Sequence, residues 1–375
     1  MTNQDQSRKD VIAFLDRCLQ KNIPFYAYRK IDSNQIQMGI QTDGDLLSYQ
    51  HLSVLKGKDG FVFAPFDLEG RHGSMFIRRD ISLNSSEITN KSVNLLESVE
   101  EVNIQQEIGE TVHESTREEY SDQISKMLGD LKQQKLDKAI LSRIHVLDGY
   151  GRKDAANSFL NLCKTYQSAF VFMVAIPTVG LWIGASPETL ISANGKTMET
   201  VALAGTQKLE DRKVADVVWE RKEIEEQAYV SDYIEILLDR HRINSYKKNG
   251  PVTVQAGNVV HLKTCYQIPA NLNFNQLSDL IHDLHPTPAV CGLPKEKAMN
   301  LIREVENHDR EYYTGYLGPV EANGSLSLFV NLRSMKVLEN QMALYVGGGI
   351  TADSNPQKEW EETCLKAQTL LNVIC

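Results

Sequence analysis

The sequence predicts an α+β protein built on large, mostly antiparallel sheets flanked by helices. Three observations carry that expectation. From residue 138 onward, short β-type runs alternate with helical ones; two of these runs follow a turn signal and a neighbouring strand, as hairpins do; and three long stretches repeat apolar residues at helical spacing.

In chain order, a first helix is expected from Ser115, which precedes Glu118 by three residues as a capping box does, with Tyr120, Ile124, Met127, Leu128 and Leu131 on one face. It should end near Gln134. Strand runs follow at Ala139 to Leu147, Ala169 to Ile176, Gly180 to Ala185 and Thr197 to Ala204. A helix is expected over 219–239 and another over 294–306. Leu326 to Leu338 then reads as strand, Glu339-Asn340-Gln341 as a turn, Met342 to Val346 as its partner, and 357–374 as the last helix. Residues 116–375 form the catalytic region in this reading, and 1–115 the N-terminal part of the same unit.

The chain has 375 residues and a formal net charge of -9, so no general positive field draws nucleic acid or anionic lipid to it. No run approaches the roughly 18 to 20 apolar residues that span a bilayer. The N-terminus lacks the apolar core of a secretory signal, so a cytoplasmic protein is expected. Six cysteines without a CxxC pair read as free thiols. The main shift in composition is at 97–122, where nine acids accompany Arg117 alone among Lys and Arg, as in a mobile connection.

At about 100° per residue, Glu223 and Glu226 fall on the face of their helix that carries Val230, Tyr233, Ile234 and Leu237, whereas Glu225 and Asp232 point away. The last helix repeats the pattern, with Glu359, Glu362 and Lys366 beside Leu370 and Val373. Periodicity alone favours helix-end acids that reach solvent. Four carboxylates turned inward instead need cations, protons or a metal, and hard oxygen ligands suit Mg²⁺.

Lys138 opens a strand and shares a face with Ile140 and Ser142; in a dry pocket such a lysine serves as a general base, although a solvated lysine is the commoner case. Glu188 follows Pro187 at the end of an apolar strand, a position that suits either a cleft acid or a turn. Gly347, Gly348 and Gly349 come directly after a strand, where bare backbone can approach an anion, but GGG is not GxGxxG and no phosphate-loop motif is present. Arg333, inside an apolar run, wants a carboxylate. No triad signature and no HExxH spacing appears.

The segments DKAILSR, GASPETL, ALAGT, ERKEIEEQAYV, LHPTPAVCGLP, DREYYTGYLG, VNLRSMKV, GGGI and KEWEETCLK stand in the order of a known family. Over roughly residues 116–375 the chain resembles the chorismate-utilising enzymes, and within them the isochorismate synthase branch, which LHPTPAV resembles most. The resemblance implies a single large α+β domain and Mg²⁺-dependent, reversible conversion of chorismate to isochorismate. It assigns Lys138 as general base, Glu188 as general acid, and Glu226, Glu359 and Glu362 as metal ligands with Glu223 beside them. The base's pKa would be lowered and the acid's raised. Arg333, Tyr313 and Gly347 to Gly349 match the site for the enolpyruvyl carboxylate. Gly205, Thr206, His261, Thr287 and Lys366 match other positions lining the pocket. No glutaminase partner is implied, and a monomer is expected. Gln227, Gly348 and Cys291 depart from residues common in the family. A salicylate synthase, which shares the first step and then eliminates pyruvate, and a silent chorismate-binding module are the alternatives.

Overall fold

The computed structural model describes residues 3–99, 101, 112–209, 212–256, 259–269 and 272–374. The central part of the acidic 97–122 stretch therefore lies outside the described residues, as does Cys375. Two nine-stranded sheets form the framework, and every strand pairing among the described residues is antiparallel. The first sheet runs in the order Gly292–Leu293, Lys138–Asp148, Gln341–Ile350, Ser334–Val337, Gly180–Ser186, Phe170–Ile176, Phe25–Arg29, Ile36–Ile40 and Ile81–Asn84. The second runs Lys247–Ala256, Val259–Pro269, Thr197–Lys208, Thr189–Ala193, Leu326–Val330, Tyr316–Val320, Gly60–Ala64, Ser74–Arg78 and Leu47–Tyr49.

Alternation along the strands explains the layering. In Phe170–Ile176, Phe170, Phe172 and Val174 enter a core shared with Phe61, Phe63, Leu317 and Phe329 of the second sheet. The intervening Val171, Met173 and Ala175 pack against helices Asn3–Gln20 and Ala155–Thr165 on the other side. The strand is apolar throughout because both its faces are buried. The second sheet covers its outer face with Arg221–Arg240 and Phe274–Leu284. The intersheet layer is rich in aromatic rings: Phe170 and Phe329 stack at 4.0 Å, and Phe63 and Tyr312 at 4.3 Å.

Three local expectations need correction. The helix Arg117–Lys132 is capped by Thr116 and Glu119, not by Ser115 and Glu118; Ser115 is buried and its hydroxyl accepts from Ile144 N at 3.2 Å. The run 326–338 is two strands in different sheets, Leu326–Val330 and Ser334–Val337, and Arg333 lies in the crossing between them at φ 48°. Strand alternation therefore does not place its side chain. The three glycines lie within the strand Gln341–Ile350 and do not follow it. The five described cysteines are free thiols. No helix of the described residues is long and apolar enough to cross a membrane.

Candidate active site

Two crossings from sheet to sheet lie side by side and create the site. The chain leaves the first sheet after Ser186, turns through Pro187 and Glu188, and enters the second at Thr189; it returns through Asn331–Arg333. The crossings are tied together by Val330 N donating to Glu188 O at 3.0 Å, Ala185 N to Arg333 O at 3.0 Å, and Ser186 Oγ to Val330 O at 2.5 Å. Glu188 and Arg333 thereby face one cavity of about 310 Å³.

That cavity gathers most of the residues singled out in the sequence: Lys138, Glu188, Gly205, Glu223, Glu226, His261, Tyr313, Arg333, Gly347, Gly348, Gly349, Glu359, Glu362 and Lys366. Thr287 is not on the wall. It is buried one turn behind, its carbonyl accepting from Val290 N and Cys291 N, and its hydroxyl has no partner among the described residues. Thr206 pairs in the strand opposite His261, but its side chain lies outside what the structure describes. Leu203, Ala289, Val290 and Leu332 give the wall an apolar part that single-sequence reading did not reach, because each looks like ordinary core.

Glu188 is buried, and burial pushes its carboxyl up to about 7, with the Lys138 charge pulling partly back. Lys138 Nζ makes an ion pair with Glu226 Oε1 at 2.6 Å. Burial lowers the pKa of His261, whose Nδ1 lies 3.3 Å from Gly205 O. The Arg333 side chain has no carboxylate partner among the described residues, and burial lowers its pKa. It stands ready for an anion. Along Gln341–Ile350, the strand Ser334–Val337 reaches only residues 342–345, so among the described residues no strand pairs with Gly347 to Gly349 on that side, although Gly347 O accepts from Lys366 Nζ at 2.8 Å.

Two helices deliver the acids. Val230, Ile234, Leu237 and Leu238 fix Arg221–Arg240 against the second sheet, and Gly205 at φ 72° lets Glu223 pack closely, since a Cβ there would meet that of Glu223 at 3.1 Å. Gln227 points away from the cavity and donates to Thr264 Oγ1 at 2.6 Å, so its departure from the family pattern is a matter of helix docking. Helix Pro356–Ile374 is anchored by Arg143, which stacks on Trp360 at 4.0 Å and bonds Thr363 Oγ1 at 2.7 Å.

The donor set suits a hard divalent cation. Four carboxylates besides Glu188 line one cavity, and Glu223 Oε2 is buried without a hydrogen-bond partner among the described residues. A Cβ at Gly348 would lie 3.4 Å from Glu359 Oε2, so alanine also fits there. Among the described residues, no three His, Cys, Asp or Glu side chains stand ready to hold a metal. Three of these acids are engaged by the protein itself: Glu226 by Lys138, Glu362 by Lys366 Nζ at 2.8 Å, and Glu359 by Ser354 Oγ at 2.7 Å.

Gly349 sets the path of the lysine. A Cβ there would lie 2.6 Å from Lys138 Cε and 3.2 Å from Nζ, so Gly349→Ala is expected to displace the amine by about 1 Å and cut turnover about 100-fold. Gly348→Ala, which meets only ordinary contacts, is the control; equal turnover of the two variants in the assay described below would remove this role from Gly349.

Comparisons with known proteins point to one family. Residues 74–375 match the family model of the chorismate binding enzymes. The vibriobactin-specific isochorismate synthase of Vibrio cholerae is 29% identical over 83% of this chain and 78% of its own length. Isochorismate synthase EntC of Escherichia coli is 30% identical over 64% of this chain and 62% of its own. Among solved structures, the menaquinone-specific isochorismate synthase MenF of Escherichia coli superposes with a TM-score of 0.76 at 22% identity, covering 97% of this chain and 91% of that one. Anthranilate synthase component I of Streptococcus pneumoniae gives 0.66 at 20% identity, with 92% and 89% covered. At these identities the structures establish the fold. With the family model spanning most of its length, the chain belongs to the chorismate-binding enzymes.

Proposed function

We propose that this protein is an isochorismate synthase, which converts chorismate reversibly to isochorismate. The observation that carries the reading is the pairing in one cavity of a buried acid whose pKa is pushed up to about 7, Glu188, with a lysine, Lys138, beside a wall of carboxylates and a guanidinium, Arg333, that has no carboxylate partner among the described residues. The names of the relatives support the same choice.

Lys138, once clear of Glu226, takes a proton from a water whose oxygen bonds to ring C2. The ring double bonds shift, the C4–oxygen bond breaks with its electron pair, and Glu188 gives its proton to the departing hydroxyl. One water enters and one leaves, so atoms and charge balance. Arg333 and the glycine edge would take the enolpyruvyl carboxylate, with Tyr313 beside them. Gly205, Thr206, His261 and Lys366 would flank the ring, with Thr287 supporting the wall from behind. Mg²⁺ held by Glu226, Glu359 and Glu362, with Glu223 adjacent, would supply positive charge against the ring carboxylate. The proposal includes a cytoplasmic monomer that works without a glutaminase, with residues 1–115 as part of the same unit.

Proton NMR of chorismate with the purified protein tests the reading. Isochorismate signals rising to an equilibrium mixture with Mg²⁺, but not with EDTA, are expected, and Glu359→Ala should raise the Mg²⁺ concentration for half-maximal rate about tenfold or more. Accumulation of salicylate and pyruvate above an enzyme-free isochorismate control would replace the reading by a salicylate synthase. Unchanged chorismate would leave a binding module.

A further inference from the structure

An ammonium and a divalent cation seek the same anionic oxygens and repel each other at close range, so either one at Glu226 disfavours the other. Lys138 Nζ lies 2.6 Å from Glu226 Oε1, with the lysine side chain 13% exposed. Its stem lies against Gly349, which limits where the head can go. The second internal cation has a different setting: Lys366 pairs with Glu362 at 2.8 Å, but the lysine is 46% and the glutamate 51% exposed. Water screens that pair, and exposed pairs contribute little. With Glu359 bonded to Ser354, three of the four acids on the wall have a protein partner, and Glu223 Oε2 has none among the described residues.

We propose that Lys138 is a built-in competitor for the metal at Glu226, so that Mg²⁺ binding and release of the Lys138 head into the cavity are one coupled event. The inference rests on the metal-assisted reading of this site given above. Because coupling is reciprocal, whatever holds Lys138 on Glu226 weakens the metal, and the metal loosens Lys138 by the same factor. Its head then faces the same cavity as Glu188, whose carboxyl already feels its charge. The acid wall thus serves as a parking place for the lysine until metal arrives. Lys366 is a much weaker competitor because its pair is open to solvent.

Calorimetric titration of Mg²⁺ into the full chain without chorismate tests the coupling, with thermal melts as a check on folding. Lys138→Met is expected to bind Mg²⁺ about tenfold or more tightly than the wild-type chain, as loss of a charge-assisted bond to Glu226 implies. Lys366→Met should tighten binding by less than about threefold. In ¹⁵N-lysine protein, the Nζ signal that Lys138→Met removes should shift when Mg²⁺ saturates the site. Lys138→Gln carries the same expectations where the methionine variant melts without cooperativity.

Wild-type or weaker Mg²⁺ affinity in the Lys138 variants, or equal tightening in the Lys138 and Lys366 variants, would overturn the coupling and leave the metal reading intact. Mg²⁺ affinity that neither Glu226→Ala nor Glu359→Ala weakens would overturn the metal reading and the coupling together.

Discussion

Glu188→Gln should lower turnover by about 100-fold or more and, at the same time, make the protein more stable above neutral pH. Both effects come from one buried carboxyl. Its folded pKa is raised from 4.5 to about 7 because burial disfavours the charged form. A raised acid binds more protons folded than unfolded across that window, so its stabilising contribution is complete below about 4.5 and is lost as pH rises through about 7. At pH 8 the ionised, buried Glu188 costs on the order of 3 kcal/mol, which the glutamine does not. Chemical denaturation of both proteins at pH 5 and pH 8 checks this: the difference should be small at pH 5 and favour Glu188→Gln at pH 8. For the wild-type enzyme, kcat/KM for chorismate should fall as pH rises past about 7, since the departing hydroxyl needs the protonated acid. A variant that keeps wild-type turnover, or a stability difference independent of pH, would remove Glu188 from the role of acid.

The stability gain and the activity loss are two readings of one arrangement. Glu188 sits at the crossing between the sheets, where its backbone is fixed by Val330 and burial outweighs the pull of the Lys138 charge on its carboxyl. A protein selected for stability alone would not keep an acid there.

How far the sequence reached follows from which signals are local. Helical period put the acids of Arg221–Arg240 and Pro356–Ile374 on the apolar faces, and both helices deliver them to one cavity, but the expectation of four inward carboxylates needs correction: Glu359 is buried, Glu223 and Glu226 are half-buried, and Glu362 is exposed, as a helix acid reaching solvent is. Glu188 and Arg333 were legible as residue types in unusual settings, but their common origin was not. Arg333 belongs to a crossing between sheets, and nothing in VNLRSMKV marks where one sheet's strand ends and the other's begins. The first 115 residues gave little because their partners are far along the chain: Phe25–Arg29 pairs with Phe170–Ile176, and Gly60–Ala64 with Tyr316–Val320. Glu306 and Arg310 do not stand out in the sequence, because two charges four residues apart carry no mark of burial.

They are among the most buried charges of the described residues, and Arg310→Met should destabilise the protein by roughly 3 to 5 kcal/mol. Arg310 and Glu306 bond at 2.6 Å with side chains 2% and 3% exposed. Burial would lower the arginine's pKa and raise the glutamate's, but each outweighs the other's burial, so Arg310 is held up and Glu306 down. Arg310 also donates to Ile140 O at 2.7 Å and Val290 O at 2.9 Å, and Ser142 N donates to Glu306 Oε1 at 2.7 Å. Ile140 and Val290 line the cavity, so the pair braces the wall beside Lys138. Removing the arginine strands a buried carboxylate and two carbonyls. Removing the charge from both, in Arg310→Met with Glu306→Gln, keeps an acceptor for Ser142 and should recover more than half of the loss. In thermal melts the single variant should fall by roughly 4 to 7 °C and the double by less. A single variant that melts within a degree of the wild-type protein would mean that the wall stands without the pair; a double variant no better than the single would place the cost in the two carbonyls rather than in the stranded charge.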